Sequence, residues 1–506
     1  MPHRPGRPAS LTIGAAVLWG LWLTSASVAA ATDPPLIAAV RTGDVQVLQA
    51  LLKSRPDVNN RQPDGATALH WAAHLDDLRS AQLLLRAGAR PGPADDTGAT
   101  PLYLACVNGS APMVETLLAA GANPDAALLN GETALMTCSR TGDVKAVGAL
   151  LARGAGVNGK ERFHDQTALM WAASQRHPAV VAALIKAGAD VRARSRAYPQ
   201  TVTSEVTQRA GREALNYSVT RGGSTPLLFA ARAGDAESAG LLIEAGADVN
   251  DALPNGMTAL VEAAHSGQQA VATLLLAKGA DPNAGGIGYT ALHAAVLRGG
   301  LDLVKALLEH GADPNLRMTK GTPVRRNSED FELPATLIGA TPYFLAAKYV
   351  EADIMRALAA GGADTRLSMK SGETPLMAAA GMGASPQTDR RGLSILDGGK
   401  IEPEPLVAAA VSAALEQGAD VNAANQNGDT ALHAAALLGY DSVITQLVKA
   451  GARTDMRNAR GLTALGQIEG KTGGAVRSPD RANRGPREST VELLRALGST
   501  QLTSQP

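Results

Sequence analysis

The sequence predicts an all-α solenoid of about 12 stacked units, each a pair of short helices with a β-turn finger. Three observations predict it. A Thr-[Ala/Pro]-Leu-like triplet opens a helix-sized apolar run eleven times, at Thr67, Thr100, Thr133, Thr167, Thr225, Thr258, Thr290, Thr341, Thr374, Thr430 and Thr463. The intervals are 33, 33, 34, 58, 33, 32, 51, 33, 56 and 33 residues. A glycine closes the second apolar run of many units, at Gly88, Gly121, Gly188, Gly246, Gly311 and Gly451. A fixed period of this size marks a repeat array, in which one unit cannot bury its apolar face alone and stability is a sum of neighbour interfaces.

Within one unit each element has a local cause. Asn255-Gly256 signals a turn. Thr258-Ala259-Leu260 starts a first helix that continues through Val261, Ala263 and Ala264 and stops at Gly267. A second helix covers roughly Gln269 to Lys278, carries Leu274, Leu275 and Leu276, and ends at the C-cap Gly279. Pro34 to Val58 reads as a first unit without its finger, and Asn458 to Gly498 as a degenerate last one.

Some triplets extend to Thr67-Ala-Leu-His70-Trp71-Ala72, Thr290-Ala-Leu-His293-Ala-Ala295 and Thr430-Ala-Leu-His433-Ala-Ala435. Gly-Ala-Asp-Val-Asn closes units at Gly246 to Asn250 and Gly418 to Asn422. These residues resemble the ankyrin repeat, a β-turn finger followed by two antiparallel helices with a Thr-Pro-Leu-His-x-Ala signature. The resemblance extends over residues 34–498 and implies a binding scaffold. It also implies that Thr67, His70, Thr290, His293, Thr430 and His433 are structural, the histidines bracing the turn by local hydrogen bonds.

The N-terminus has another character. His3, Arg4 and Arg7 precede an apolar run from Leu11 to Leu23 and a small-residue stretch from Ser25 to Ala31. This is the layout of a secretory signal peptide over residues 1–31, too short for a span of about 20 residues. The expected mature protein is a soluble monomer, periplasmic or extracellular, without stable membrane insertion. The two cysteines, Cys106 and Cys138, fall in adjacent units. Equivalent helices pack about 8–10 Å apart, whereas a disulfide needs Cα atoms within roughly 7 Å. Both are therefore expected as buried thiols in alanine-like slots.

The long intervals locate insertions at about 192–222, 316–339 and 381–404, and a fourth at about 470–487 interrupts the last unit, leaving a tail over 499–506. The first two follow a second helix and lengthen a finger. The third and fourth separate the two helices of a unit. Long surface insertions cost little closure entropy, so their presence points to function. Eight of the eleven Tyr and Phe residues lie between Tyr198 and Tyr349, and arginines crowd the first insertion; that composition is typical of interface hot spots. A composite groove flanked by two fingers is the expected binding surface. In ankyrin proteins partner contacts cluster just before the signature threonine and seven to eight residues after it. Carried over, the resemblance points to Arg232, Met257, His265, Tyr289, Arg298, Lys348 and Tyr349, a set whose cations suit an acidic patch on a protein partner.

With 47 basic and 47 acidic residues, the chain lacks the basic excess of a nucleic-acid binder. Gly154 to Glu161 has the spacing of a phosphate loop but Glu where Ser or Thr must hold magnesium, and Gly466 to Thr472 is one residue short. His70 and His74 stand four apart on one helix without a third metal ligand. No cofactor, metal or catalytic residue is expected, and the chain is expected not to be an enzyme. The sequence thus points to an exported scaffold that binds another protein through its concave groove and fingers. The alternative is a secreted virulence or competition factor binding a foreign protein, and third stands an enzyme whose site the insertions build.

Overall fold

The structure, a computed structural model, describes residues 33–203, 216–322, 333–383, 404–469 and 488–503. The chain forms two compact units, residues 1–129 and 130–506. The first contains the helix pairs Pro35–Arg41 with Val45–Lys53, Ala68–His74 with Leu78–Arg86, and Pro101–Asn108 with Ala111–Ala119. The second contains first helices at Ala134–Thr141, Ala168–Ser174, Pro226–Ala233, Ala259–His265, Ala291–Arg298, Pro342–Lys348, Pro375–Ala379, Ala431–Leu438 and Ala464–Ile468, each followed by a second helix.

The signature threonine is the N-cap. Its backbone is extended, and at Thr100, Thr133, Thr167, Thr258, Thr341, Thr374 and Thr463 its hydroxyl accepts from the amide three residues on, as in Val261 N to Thr258 Oγ1 at 3.3 Å and Phe344 N to Thr341 Oγ1 at 3.2 Å. Such a cap is worth about 1 kcal/mol. Pro101, Pro226, Pro342 and Pro375 take the first helical position, where a missing N–H costs nothing. Asp44, Asp77, Asp143 and Asp235 cap the second helices. First helices are short, rich in alanine and nearly buried all round; Ala263, Ala264, Ala294 and Ala295 are all inaccessible. Small side chains let helices on both sides approach. The second helices bury one stripe, such as Val271, Ala272, Leu275 and Leu276, and leave the other in water.

Successive fingers are joined through their backbones. Asp96 N donates to Asp64 O at 2.9 Å, Arg162 N to Asn130 O at 2.8 Å, Gln426 N to Ser371 O at 2.9 Å and Ala459 N to Asn427 O at 2.7 Å. Between Gly256 and Gly286 the finger backbones approach so closely that a Cβ on Gly256 would lie 2.4 Å from the Gly286 carbonyl carbon.

The insertions depart from a purely helical reading. After Arg196 N donates to His164 O at 2.6 Å, the first continues as two antiparallel strands, β1 (Tyr198–Thr203) and β2 (Asn216–Arg221). Tyr198 pairs with Arg221 and Thr203 with Asn216. Their Thr, Val and Tyr content suits a pleated ribbon. In the second insertion Met318, Leu333 and Leu337 are buried and Thr322 N donates to Leu333 O at 2.8 Å. The signal segment and the fourth insertion lie outside the described residues, as does the third except at residues 381–383 and 404. The last helix, Glu488–Thr503, runs on into the residues expected as tail.

The expectation of two thiols is corrected: Cys106 and Cys138 are both disulfide-bonded. Interaxial spacing is a mean over whole helices and sets no lower limit on the distance between one pair of Cα atoms.

Candidate functional site

Two kinds of side chain fasten units to their neighbours. The signature histidines are one. Thr290 N donates to His293 Nδ1 at 3.3 Å, and His293 Nε2 lies 3.3 Å from Ala340 O, in the next unit. His70 repeats this with Thr67 and Ala99 O, and His433 with Thr430 and Leu462 O. Each ring therefore holds its own turn and the following finger. Burial lowers the pKa of His70, and burial drives that of His293 down to about 4.

The second kind is asparagine four residues beyond the closing glycine. Asn283 Nδ2 donates to Gly311 O at 3.0 Å while its Oδ1 accepts from Asp313 N at 2.7 Å. Asn158, Asn250, Asn315 and Asn422 make the same two-ended clamp, as does Asn59, four residues beyond the left-handed Arg55. The sequence showed the Gly-Ala-Asp-Val-Asn motif, but its role in joining units had gone unread.

Around the expected contact set, the structure separates surface from interior. Arg232 is half-exposed, and its Nε lies 2.6 Å from Glu262 Oε1, a carboxylate on a residue only 7% exposed. Arg298 Nε donates to His265 O at 2.7 Å. The His265 and Tyr289 rings are 5.9 Å apart. Met257, His265, Arg298 and Lys348 are half-buried. Tyr289 and Tyr349, at 2% and 3% exposure, belong to the core and present no contact surface. Counting from the threonine fixes a residue's place along the helix; the neighbouring unit decides whether it is covered. Burial also raises the Glu373 carboxyl pKa, with Lys348 pulling the other way.

The most exposed aromatics lie elsewhere. Phe163 is 65% exposed at a finger tip, and Tyr198 is 39% exposed at the root of the hairpin. The adjacent His164 stands edge-on to Tyr198 with ring centroids 6.4 Å apart. The Glu161 carboxylate holds this finger by accepting from Phe163 N and His164 N, both at 2.7 Å, and Gln166 N at 3.1 Å. Glu161 is thereby occupied as a turn scaffold in the segment that resembles a phosphate loop. Phe163 was missed in the sequence because a lone aromatic breaks no period; its sign was an apolar residue where other tips hold Asn or Asp. Among the described residues, no group of three or more His, Cys, Asp or Glu is placed to hold a metal, and no helix is long and apolar enough to cross a membrane.

Stacked helix pairs, threonine caps and finger ladders define a repeat solenoid. A family model for ankyrin repeats in three copies matches residues 36–127, 112–195, 205–286 and 227–318, and a single-repeat model matches 427–459. Together these spans cover more than half of the sequence, and the chain belongs to the ankyrin-repeat family. A Danio rerio protein named as the palmitoyltransferase ZDHHC13 is 30% identical over 182 residues, covering 36% of this chain and 22% of that protein. The chain thus spans less than a quarter of that relative's length. The crystal structure of the human ASB11 ankyrin repeat domain is 26% identical, with a TM-score of 0.39, covering 49% of this chain and 99% of that one.

Proposed function

We propose that the protein is an exported scaffold that binds another protein through its finger side. The observation that carries this is the pair Phe163 and Tyr198. Of the large aromatic side chains, Tyr289, Tyr343, Phe344, Tyr349 and Tyr440 are buried. These two face water beside a two-stranded arm whose Tyr198, Gln200 and Thr201 are exposed. An isolated hairpin is marginal in water, and exposed aromatics beside arginines are the composition of interface hot spots. Arg232, Met257, His265, Arg298 and Lys348 extend the candidate surface along the ends of the first helices. Binding, not catalysis, is what a row of separate turn and cap residues supports.

Export is inferred separately. Disulfides persist in oxidising compartments and are rare in the cytosol, so the bonded state of Cys106 and Cys138 supports a periplasmic or extracellular location. Alkylation of the native protein after cell fractionation tests it; cysteines that are reduced and remain with the cytosol would reject export. For binding, the test is cross-linking in situ followed by affinity measurement with the identified partner. Phe163→Ala with Tyr198→Ala should weaken binding at least tenfold while thermal unfolding stays unchanged. Equal affinity of the folded double variant would exclude the finger side.

A further inference from the structure

We propose a carboxylate-binding site between Arg192 and Asp248, created where Arg192 stands in place of a clamp asparagine. Four residues beyond Gly188 stands Arg192 instead of Asn. Its Nε reaches over 54 residues of sequence to donate to Gly246 O at 3.1 Å, reproducing one half of the clamp. The other half needs an acceptor, and a guanidinium has none. Where the preceding unit carries the asparagine, the amide corresponding to Asp248 N bonds to its Oδ1, as at Asp190, Asp281, Asp313 and Asp364 at 2.7 to 2.8 Å. Asp248 N–H has no protein acceptor among the described residues. Beside it opens a recess of about 540 Å³ lined by Arg192, Arg194, Thr225, Ile243, Asp248 and Asp251.

The chemistry of the walls selects the ligand. Arg194 is committed: it donates to Gly223 O at 2.9 Å, to Ala252 O at 3.2 Å and to the Asp251 carboxylate. Asp248 turns its carboxylate to Asn250 N at 2.9 Å. What remains is the outer edge of the Arg192 guanidinium and one backbone N–H, a charged donor and a neutral donor. A carboxylate accepts from both, and bonds to an ionised partner are the stronger kind. Arg366 makes the same exchange four residues beyond Gly362, but there Thr365 Oγ1 donates to Gln417 O at 3.3 Å. The site needs no protein partner, and it deepens the proposed function if the carboxylate is an acidic side chain of one.

The test uses the full chain and the amide resonance of Asp248. The probes are succinate, the blocked peptide acetyl-Gly-Glu-Gly-amide, succinamide and chloride. Saturable shifts with succinate, the peptide or both are expected, and which of the two binds tells a small acid from an acidic side chain. Arg192→Asn should restore the full clamp, slow hydrogen exchange at Asp248 and lower affinity about tenfold or more. Arg192→Gln serves if that variant does not fold. A shift no greater than with chloride, an equal affinity for succinamide, or unchanged binding in the folded variant would overturn the proposal.

Discussion

Acid should loosen the array at His293 first. The ring is wholly buried, with Nδ1 facing the Thr290 N–H and Nε2 facing Ala340 O, an arrangement that fits only the neutral imidazole. Its pKa is about 4 when folded, against 6.5 ordinarily, because burial disfavours the charge. A depressed histidine pKa means the unfolded chain binds more protons, so the stability it contributes is present above 6.5 and is lost as pH falls toward 4. Linkage gives a loss of about 2 kcal/mol at pH 5 and about 3 kcal/mol at pH 4. Native-state hydrogen exchange of the helix Ala291–Arg298 measures this locally, at pH 7 and pH 5. His293→Gln carries no titrating ring, so its opening free energy should fall by about 2 kcal/mol less than the wild type's over that interval. Equal acid sensitivity in both proteins would refute the reasoning.

Arg232→Ala strands a Glu262 carboxylate that is nearly buried, and should cost about 1–2 kcal/mol; because the arginine is half-exposed, the figure sits below that for a buried pair. Chemical unfolding should show Glu262→Gln recovering part of that loss in the double variant. Gly256 has φ +86° and faces the Gly286 backbone, whereas Gly279 has φ +87° and nothing within 4 Å. Gly279→Ala should lose only the roughly 1–2 kcal/mol of left-handed strain, and Gly256→Ala clearly more, with protease cleavage appearing at its finger. Asn283→Ala removes two hydrogen bonds between units and should cost about 1–2 kcal/mol, read as faster exchange at Asp313 N.

The stacking was legible because it is periodic. Threonine caps, closing glycines and the apolar stripe each follow from local rules repeated in register, so residues 34–498 could be parsed unit by unit. Features that depend on distance through space were not legible. Nothing in the spacing of Cys106 and Cys138 distinguishes a bridge from two packed thiols. Tyr289 and Tyr349 occupy the offsets of surface residues, yet the adjoining unit covers them. The hairpin has only six residues per strand, too short to announce itself inside an insertion expected to lengthen a finger. Arg192 belongs to the clamp series by position, which only the like bonding of Asn250, Asn283 and Asn315 reveals.

Asn315 reaches Gly362 across 47 residues, and Arg192 reaches Gly246 across 54. The fastening between consecutive units therefore bypasses whatever chain has been spliced between them. Length and composition in those spliced stretches can drift without disturbing the joint beneath, and a lineage could trade one protruding arm for another while keeping its frame.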